Sequence, residues 1–152
     1  MRQATGGEHM DDRIAKERRL AELKPAAFRN NKRLAHAETV LRMRSTLDAN
    51  LDALSAEQNE NWVWKGAQCL APAYRRCLVK LSRGGRDAFV VREFDVPSRN
   101  FVRGGFVVAE AKTEIAWVDT NTVLVATNWG PETLTRSGYP RVVKVWRRGQ
   151  NV

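Results

Sequence analysis

The chain is clearest between Cys77 and Asp95, Cys-Leu-Val-Lys-Leu-Ser-Arg-Gly-Gly-Arg-Asp-Ala-Phe-Val-Val-Arg-Glu-Phe-Asp. Residues 77–82 and 88–94 are rich in β-formers, and Gly84-Gly85 lies between them. Paired glycines reach the positive φ values that a short hairpin loop needs. Side chains alternate across a strand, so Cys77, Val79 and Leu81 point to one face and Leu78 to the other. On the second strand Phe89 and Val91 oppose Val90 and Phe94. A hairpin that is apolar on both faces predicts cover on both faces, as in stacked sheets.

The pattern differs on either side of residue 59. Residues 1–10 lack an apolar period and read as disordered. From Asp11 the spacing is helical: Asp11 or Asp12 can cap, Ile14, Arg18 and Ala21 share a face, and Leu20 and Leu23 sit beside it. Lys24-Pro25 breaks this helix, and Pro25 can open the next. That next helix runs from Ala26 to about Met43, with Phe28 near its start and Leu34, Ala37 and Leu41 on one face. Residues 47–58 read as one more short helical or turn segment. Large apolar residues are few here, so residues 11–58 form a helical N-terminal segment that looks like peripheral cover.

From Asn59 onward short β-segments recur, giving a β-domain over residues 59–152. Trp62-Val-Trp-Lys is a strand. Residues 114–118 and 122–127 are strands around Asp119-Thr-Asn, and residues 141–147 form the last strand. Ala71-Pro-Ala, Pro97-Ser-Arg-Asn and Gly104-Gly105 are turns, and residues 128–139 form a longer loop.

A weak repeat links these strands. Val123-Leu-Val-Ala-Thr-Asn-Trp-Gly aligns with Cys77-Leu-Val-Lys-Leu-Ser-Arg-Gly at an offset of 46, and Val142-Val-Lys-Val-Trp-Arg with Val90-Val-Arg-Glu-Phe-Asp at an offset of 52. A Trp-bearing strand precedes each block, Trp62-Val-Trp64 and Ile115-Ala-Trp117. Several short strands per unit at this period is the signature of propeller blades. The fold class expected is therefore mainly β: a partial β-propeller of about two blades of antiparallel strands, preceded by N-terminal helices.

Composition narrows the function. The 152 residues carry a net charge of +9, which raises nucleic-acid binding as a reading. The excess is scattered, however. Residues 1–61 hold 11 basic and 10 acidic groups, and residues 62–152 hold 15 and 7. There is no basic tail or basic helix. No apolar run approaches a membrane span, and the N-terminus lacks a signal-peptide core, which points to the cytoplasm. Cys69 and Cys77 lack the partners of a zinc site. They read as buried reduced thiols, with a disulfide across the Ala71–Tyr74 turn as the alternative in an oxidising compartment.

Candidate chemistry is sparse. Ser82-Arg-Gly-Gly lacks the spacing and following helix of a phosphate loop and reads as a β-turn. Arg86, Arg92 and Glu93 fit either a substrate groove or a charged rim. Trp62, Trp64, Trp117, Trp129 and Trp146 fit either base stacking or blade-to-blade packing. Asp119 and Glu110 read as turn residues, and His36 as a surface or interhelical residue.

Taken in order, Trp62-Val-Trp-Lys-Gly-Ala, Leu81-Ser-Arg-Gly-Gly, Asp87-Ala, Val91-Arg-Glu-Phe-Asp, Glu110-Ala-Lys, Trp117-Val-Asp and Ser137-Gly-Tyr-Pro-Arg resemble the N-terminal β-propeller domain of prolyl oligopeptidase family serine peptidases. The similarity covers about residues 47–149. It implies a two-domain enzyme in which a seven-bladed propeller covers an α/β-hydrolase domain with a Ser-Asp-His triad and admits only short, often proline-containing peptides. This chain would supply the first two blades, with the hydrolase domain as its expected partner.

No catalytic, cofactor-binding or metal residue is carried over by the resemblance. The chain has no Gly-x-Ser-x-Gly elbow, and its histidines are His9 and His36. It ends at Gly149-Gln-Asn-Val where further blades are expected, which reads as a truncated or split product. Two blades cannot close a ring. The last strand, residues 141–147, and the inner surface of the first blade are therefore expected to be exposed, and the isolated polypeptide marginally stable or oligomeric. Two further readings are a basic nucleic-acid-binding module and an interaction scaffold with Asp11–Met43 as partner helices.

Overall fold

The computed structural model describes residues 33–48 and 50–151. They fall in two units, residues 1–37 and 38–152. Of the first unit only residues 33–37 are described, and they are helical. The disorder expected over residues 1–10 and the helix expected from Asp11 lie outside the described residues.

In the second unit residues 38–48 and 50–58 are helical. Eight strands follow: β1 (Trp62–Cys69), β2 (Arg76–Arg83), β3 (Phe89–Asp95), β4 (Asn100–Phe101), β5 (Val107–Ala111), β6 (Glu114–Asp119), β7 (Thr122–Ala126) and β8 (Val143–Arg147). They form two antiparallel sheets. The first has the order β1-β2-β3, with β4 and β5 both on the far edge of β3, and the second has the order β6-β7-β8. This is the mainly β, partial-propeller architecture expected.

The hairpin at residues 77–95 is covered on both faces. Gly84 and Gly85 turn it with φ of 59° and 80°. Cys77, Val79, Leu81 and Phe94 pack with Met43, Leu47, Leu51 and Leu54 of the helical residues. Leu78 and Val91 face the other way, into a cluster with Phe106, Val108, Ile115, Val123 and Val125, which is the junction with the second sheet. The two-faced pattern is thus explained, but by unlike covers: helix on one side, sheet on the other.

The helical segment and the cysteines need correction. The helical face is not Leu34, Ala37 and Leu41, since Leu34 and Leu41 are 60% and 68% exposed. The buried stripe is Met43, Leu47, Leu51 and Leu54, spaced by four, four and three residues, a proper helical period. It straddles the point where the sequence reading divided the segment, so the helix looked poor in apolar residues. It walls a core and is no peripheral cover. For the same reason the free face of the first sheet is not open.

Cys69 and Cys77, expected as reduced thiols, are joined in a disulfide. The register explains this, because β1 and β2 place the two residues directly opposite each other.

The turn expected at Gly104-Gly105 forms, with Gly104 at φ 67° and the Gly105 N–H donating to the Val102 carbonyl at 3.1 Å, and it sits in a bulge inside a broken fourth strand. Asn100 and Phe101 pair with Asp95 and Phe94, and residues 107–111 resume the pairing at Arg92, Val91 and Phe89. Between them the Glu93 N–H donates to the Phe106 carbonyl at 2.9 Å, and the Val102 N–H donates to the Glu93 carbonyl at 2.9 Å. A bulge re-aims side chains, and here Phe106 enters the core.

The repeat has a structural counterpart. Cys77 pairs with Phe94 and Val123 pairs with Trp146, so the two offsets carry one register onto the other. The extra residues sit in the β7–β8 connection, residues 127–142. The tryptophans of the preceding strands are not equivalent, however: Trp64 lies opposite Leu81, whereas Trp117 lies opposite Val123.

Candidate functional site

The chemistry-bearing residues gather where the two sheets meet. Phe106, delivered by the bulge, is almost fully buried. Its ring meets Trp117 edge-on at 5.7 Å and Trp146 edge-on at 5.1 Å. Both tryptophans belong to the second sheet, so an aromatic of the first is clasped by a pair from the second. Trp117 Nε1 donates to the Gln68 carbonyl at 2.9 Å, tying β6 to β1. Trp129 lies under Lys144 and Trp62 under Arg83. Trp64 packs against the helix-covered core. The tryptophans are thus engaged in packing, and base stacking is not favoured.

Beside Phe106 sits Glu93, whose side chain is fully buried. Arg148 forks onto it, Nη1 donating to Oε2 at 2.9 Å and Nη2 to Oε1 at 3.0 Å. Arg76 Nη1 donates to Oε1 at 3.3 Å, and the Phe106 N–H donates to Oε2 at 2.9 Å. Arg148 also donates to the Thr120 carbonyl and Asn121 Oδ1 and lies over the Phe106 ring at 4.6 Å. A buried carboxylate is tolerated only when so completely paired. Gly105 leaves it room, because a Cβ there would stand 2.8 Å from Glu93 Oε2 and 2.8 Å from Val102 Cβ.

Of the two readings of Arg86, Arg92 and Glu93, the structure does not support a shared groove. Glu93 and Arg92 are successive residues of β3 and point to opposite faces. Arg92 lies over the Phe101 ring at 4.2 Å, and burial holds its guanidinium below its ordinary pKa. Arg86 is exposed on the turn. Glu110 and Asp119 are not an acid pair either. Glu110 accepts from Arg83 and, with Glu60, raises that guanidinium above its usual pKa. Asp119 accepts from the Asn121 N–H at 2.7 Å.

Ser82 is buried and donates to the Arg86 carbonyl at 2.7 Å, which closes the turn as expected. Ser137 is exposed in the 127–142 loop, where its carbonyl accepts from Lys112. His36 is helical, and His9 lies outside the described residues. Among the described residues no cluster of three or more His, Cys, Asp and Glu is arranged to hold a metal. The junction also frames a groove of about 650 Å3 bordered by Val108, Glu110, Thr127, Trp129, Trp146 and Gln150.

Chemically, this site joins two blades and brings no nucleophile to a base. Sequence reasoning missed Phe106, Arg76 and Arg148. The signal for the arginines was available: Glu93 alternates onto an apolar face, and such a carboxylate demands a cation.

No protein-family model matches the chain. An uncharacterized peptidase of Sinorhizobium fredii is 48% identical over 109 residues, covering 72% of this chain and 15% of the relative. An uncharacterized peptidase of Rickettsia prowazekii is 27% identical over 111 residues, covering 68% and 15%. A solved post-proline cleaving enzyme from Rickettsia typhi superposes with a TM-score of 0.63 at 26% identity, covering 67% of this chain and 16% of that one. The chain is a propeller segment of the prolyl oligopeptidase family. It spans about 15% of the length of the curated relatives it matches. Within this prolyl oligopeptidase-family segment, the junction at Phe106 and Glu93 is the contact between neighbouring blades, and the nucleic-acid reading is not favoured. No helix among the described residues is long and apolar enough to cross a membrane.

Proposed function

We propose that residues 59–152 serve as the first blades of a propeller that limits substrate access to a serine-type α/β-hydrolase domain, with residues 11–58 as its helical lead-in. In that role the segment docks on the hydrolase domain. It helps restrict cleavage to short peptides, proline-containing ones above all, in a cytoplasmic enzyme. The observation that carries this reading is the repeated register: two antiparallel meanders stacked face to face, in a chain that over 109 residues is 48% identical to part of a peptidase. Blades fixed in this way act as a rigid filter, and no residue of the segment need touch the scissile bond.

A chimera tests it. The matching 109 residues of the Sinorhizobium fredii relative are replaced by those of this chain. The chimera is expected to cleave a proline-containing fluorogenic peptide and to leave a folded protein intact. A chimera that folds but digests folded proteins, or robust peptide turnover by this chain alone, would overturn the proposal.

A further inference from the structure

One end of the first sheet carries a cleft that the junction does not explain. It lies between the helical residues, the β1–β2 connection and the β3–β4 connection, and has a volume of about 360 Å3. Three arginines line it, one from each element: Arg42, Arg75 and Arg99. Thr39, Thr46 and Tyr74 also line it, and among the described residues no carboxylate does. Among the described residues none of the three arginines forms an ion pair. The adjacent carboxylate, Asp95, is bound by Arg76 at 3.1 Å and by the Ser98 N–H at 3.0 Å, and it also feels the charge of Arg75.

The backbone is also unusual here. Three non-glycine residues among those described have positive φ, and two of them, Tyr74 at 51° and Arg99 at 59°, line this cleft. That conformation is costly for an L-residue and persists where the surroundings enforce it. Asn50 Nδ2 donates to the Arg99 carbonyl at 2.8 Å, and the Tyr74 N–H donates to the Leu70 carbonyl at 2.9 Å. Two turns are thereby held so that their cationic or hydroxyl residues border one concavity.

Three like charges around one cleft repel each other. An anion with two charges and several acceptor oxygens offsets that repulsion and matches the guanidinium fork. We propose that the Arg42–Arg75–Arg99 cleft binds a phosphate group, as inorganic phosphate or as a phosphate monoester. The proposal is independent of the gating role, because it concerns a different face of the first sheet.

Titration of the full chain at constant ionic strength, with inorganic phosphate and separately with phenyl phosphate, tests it by calorimetry and by NMR of the arginine side chains. Saturable binding is expected. Arg75→Ala and Arg99→Ala are each expected to weaken it about tenfold, the loss of one charge-assisted contact. Arg42→Ala, on the exposed helix surface, does the same if the turn variants perturb folding. The double variant Arg86→Ala/Arg136→Ala removes two exposed charges elsewhere and leaves the affinity unchanged. Equal affinity for the two probes identifies free phosphate as sufficient, and a preference for phenyl phosphate identifies a monoester. Absence of saturable binding, or an equal loss in the control double variant, overturns the site.

Discussion

The two sheets share one plan but live in different surroundings. In the first, both faces are covered: Val79 and Leu81 by the helix, Leu78 and Val91 by the second sheet. The repeat places Leu124 at the position of Leu78 and Val143 at the position of Val91. Leu78 and Val91 are 0% exposed, whereas Leu124 and Val143 are 39% and 63% exposed. The inner faces correspond as well, since Val123 and Val125 stand where Cys77 and Val79 do. The helix therefore does for the first sheet what the first sheet does for the second. The same positions are core in one unit and surface in the other, so burial here is set by the next layer of the stack and not by the strand. Leu124, Val143 and Val145 thus form an exposed apolar face on the second sheet.

The largest expected effect lies at the contact between the sheets. Phe106→Ala removes the ring clasped by Trp117 and Trp146 and is expected to cost about 3–5 kcal/mol, measured by urea denaturation. A loss below about 1 kcal/mol would mean that the junction does not hold the blades together. The comparison between sheets is sharpened by a pair of equivalent substitutions. Leu78→Ala should cost about 2–5 kcal/mol, and Leu124→Ala within about 0.5 kcal/mol, as for an exposed site. Equal costs would break the comparison, because they would show that Leu124 is covered in solution, as in an oligomer.

The disulfide comes next. A bond between Cys69 and Cys77, eight residues apart, restricts the unfolded chain by about 2–3 kcal/mol in the loop-entropy account. Cys69→Ser/Cys77→Ser should lower stability by about that amount. The second sheet has no corresponding bond, so the loss should appear first as faster hydrogen exchange in β1 and β2, with β6 to β8 less affected. Thiol trapping in cell extract reads the same bond in its setting. A cytoplasmic protein should be trapped largely reduced, and a fully oxidised pool would argue for an oxidising compartment.

Much of this was legible in strand alternation. The faces of β2 and β3 followed from period two alone, and Gly84-Gly85 marked the turn. The offsets of the repeat match the structure, where they carry the pairing of Cys77 with Phe94 onto that of Val123 with Trp146. What escaped had other physical sources. The stripe from Met43 to Leu54 was hidden because a helical period was cut at a supposed boundary. Phe106 follows two glycines, and a bulge that turns an aromatic inward leaves no periodic trace. Arg148 meets Glu93 across 55 residues, a pairing that charge balance demanded without saying which arginine supplied it. The oxidation of Cys69 and Cys77 depended on a register that composition does not encode.

The smallest expected effect separates the ends of the two sheets by pH. Asp95 closes β3, and its carboxyl is held below the usual range first by the Ser98 hydroxyl, then by the Ser98 N–H, with Arg76 and Arg75 adding charge. Asp119 holds the corresponding end of β6 through the Asn121 N–H, with no arginine paired to it among the described residues. A carboxyl lowered in the folded state contributes stability above its unfolded pKa of about 3.9 and loses that contribution as pH falls through the folded value. Asp95→Asn should therefore cost stability at neutral pH, and the gap from the parent chain should close on acidification below about pH 4. The group is close to solvent, so screening keeps the gap on the order of a few tenths of a kcal/mol. Urea midpoints at pH 7 and pH 3 measure it. A gap that persists unchanged at pH 3 would show that Asp95 acts through its shape in the turn and not through its charge.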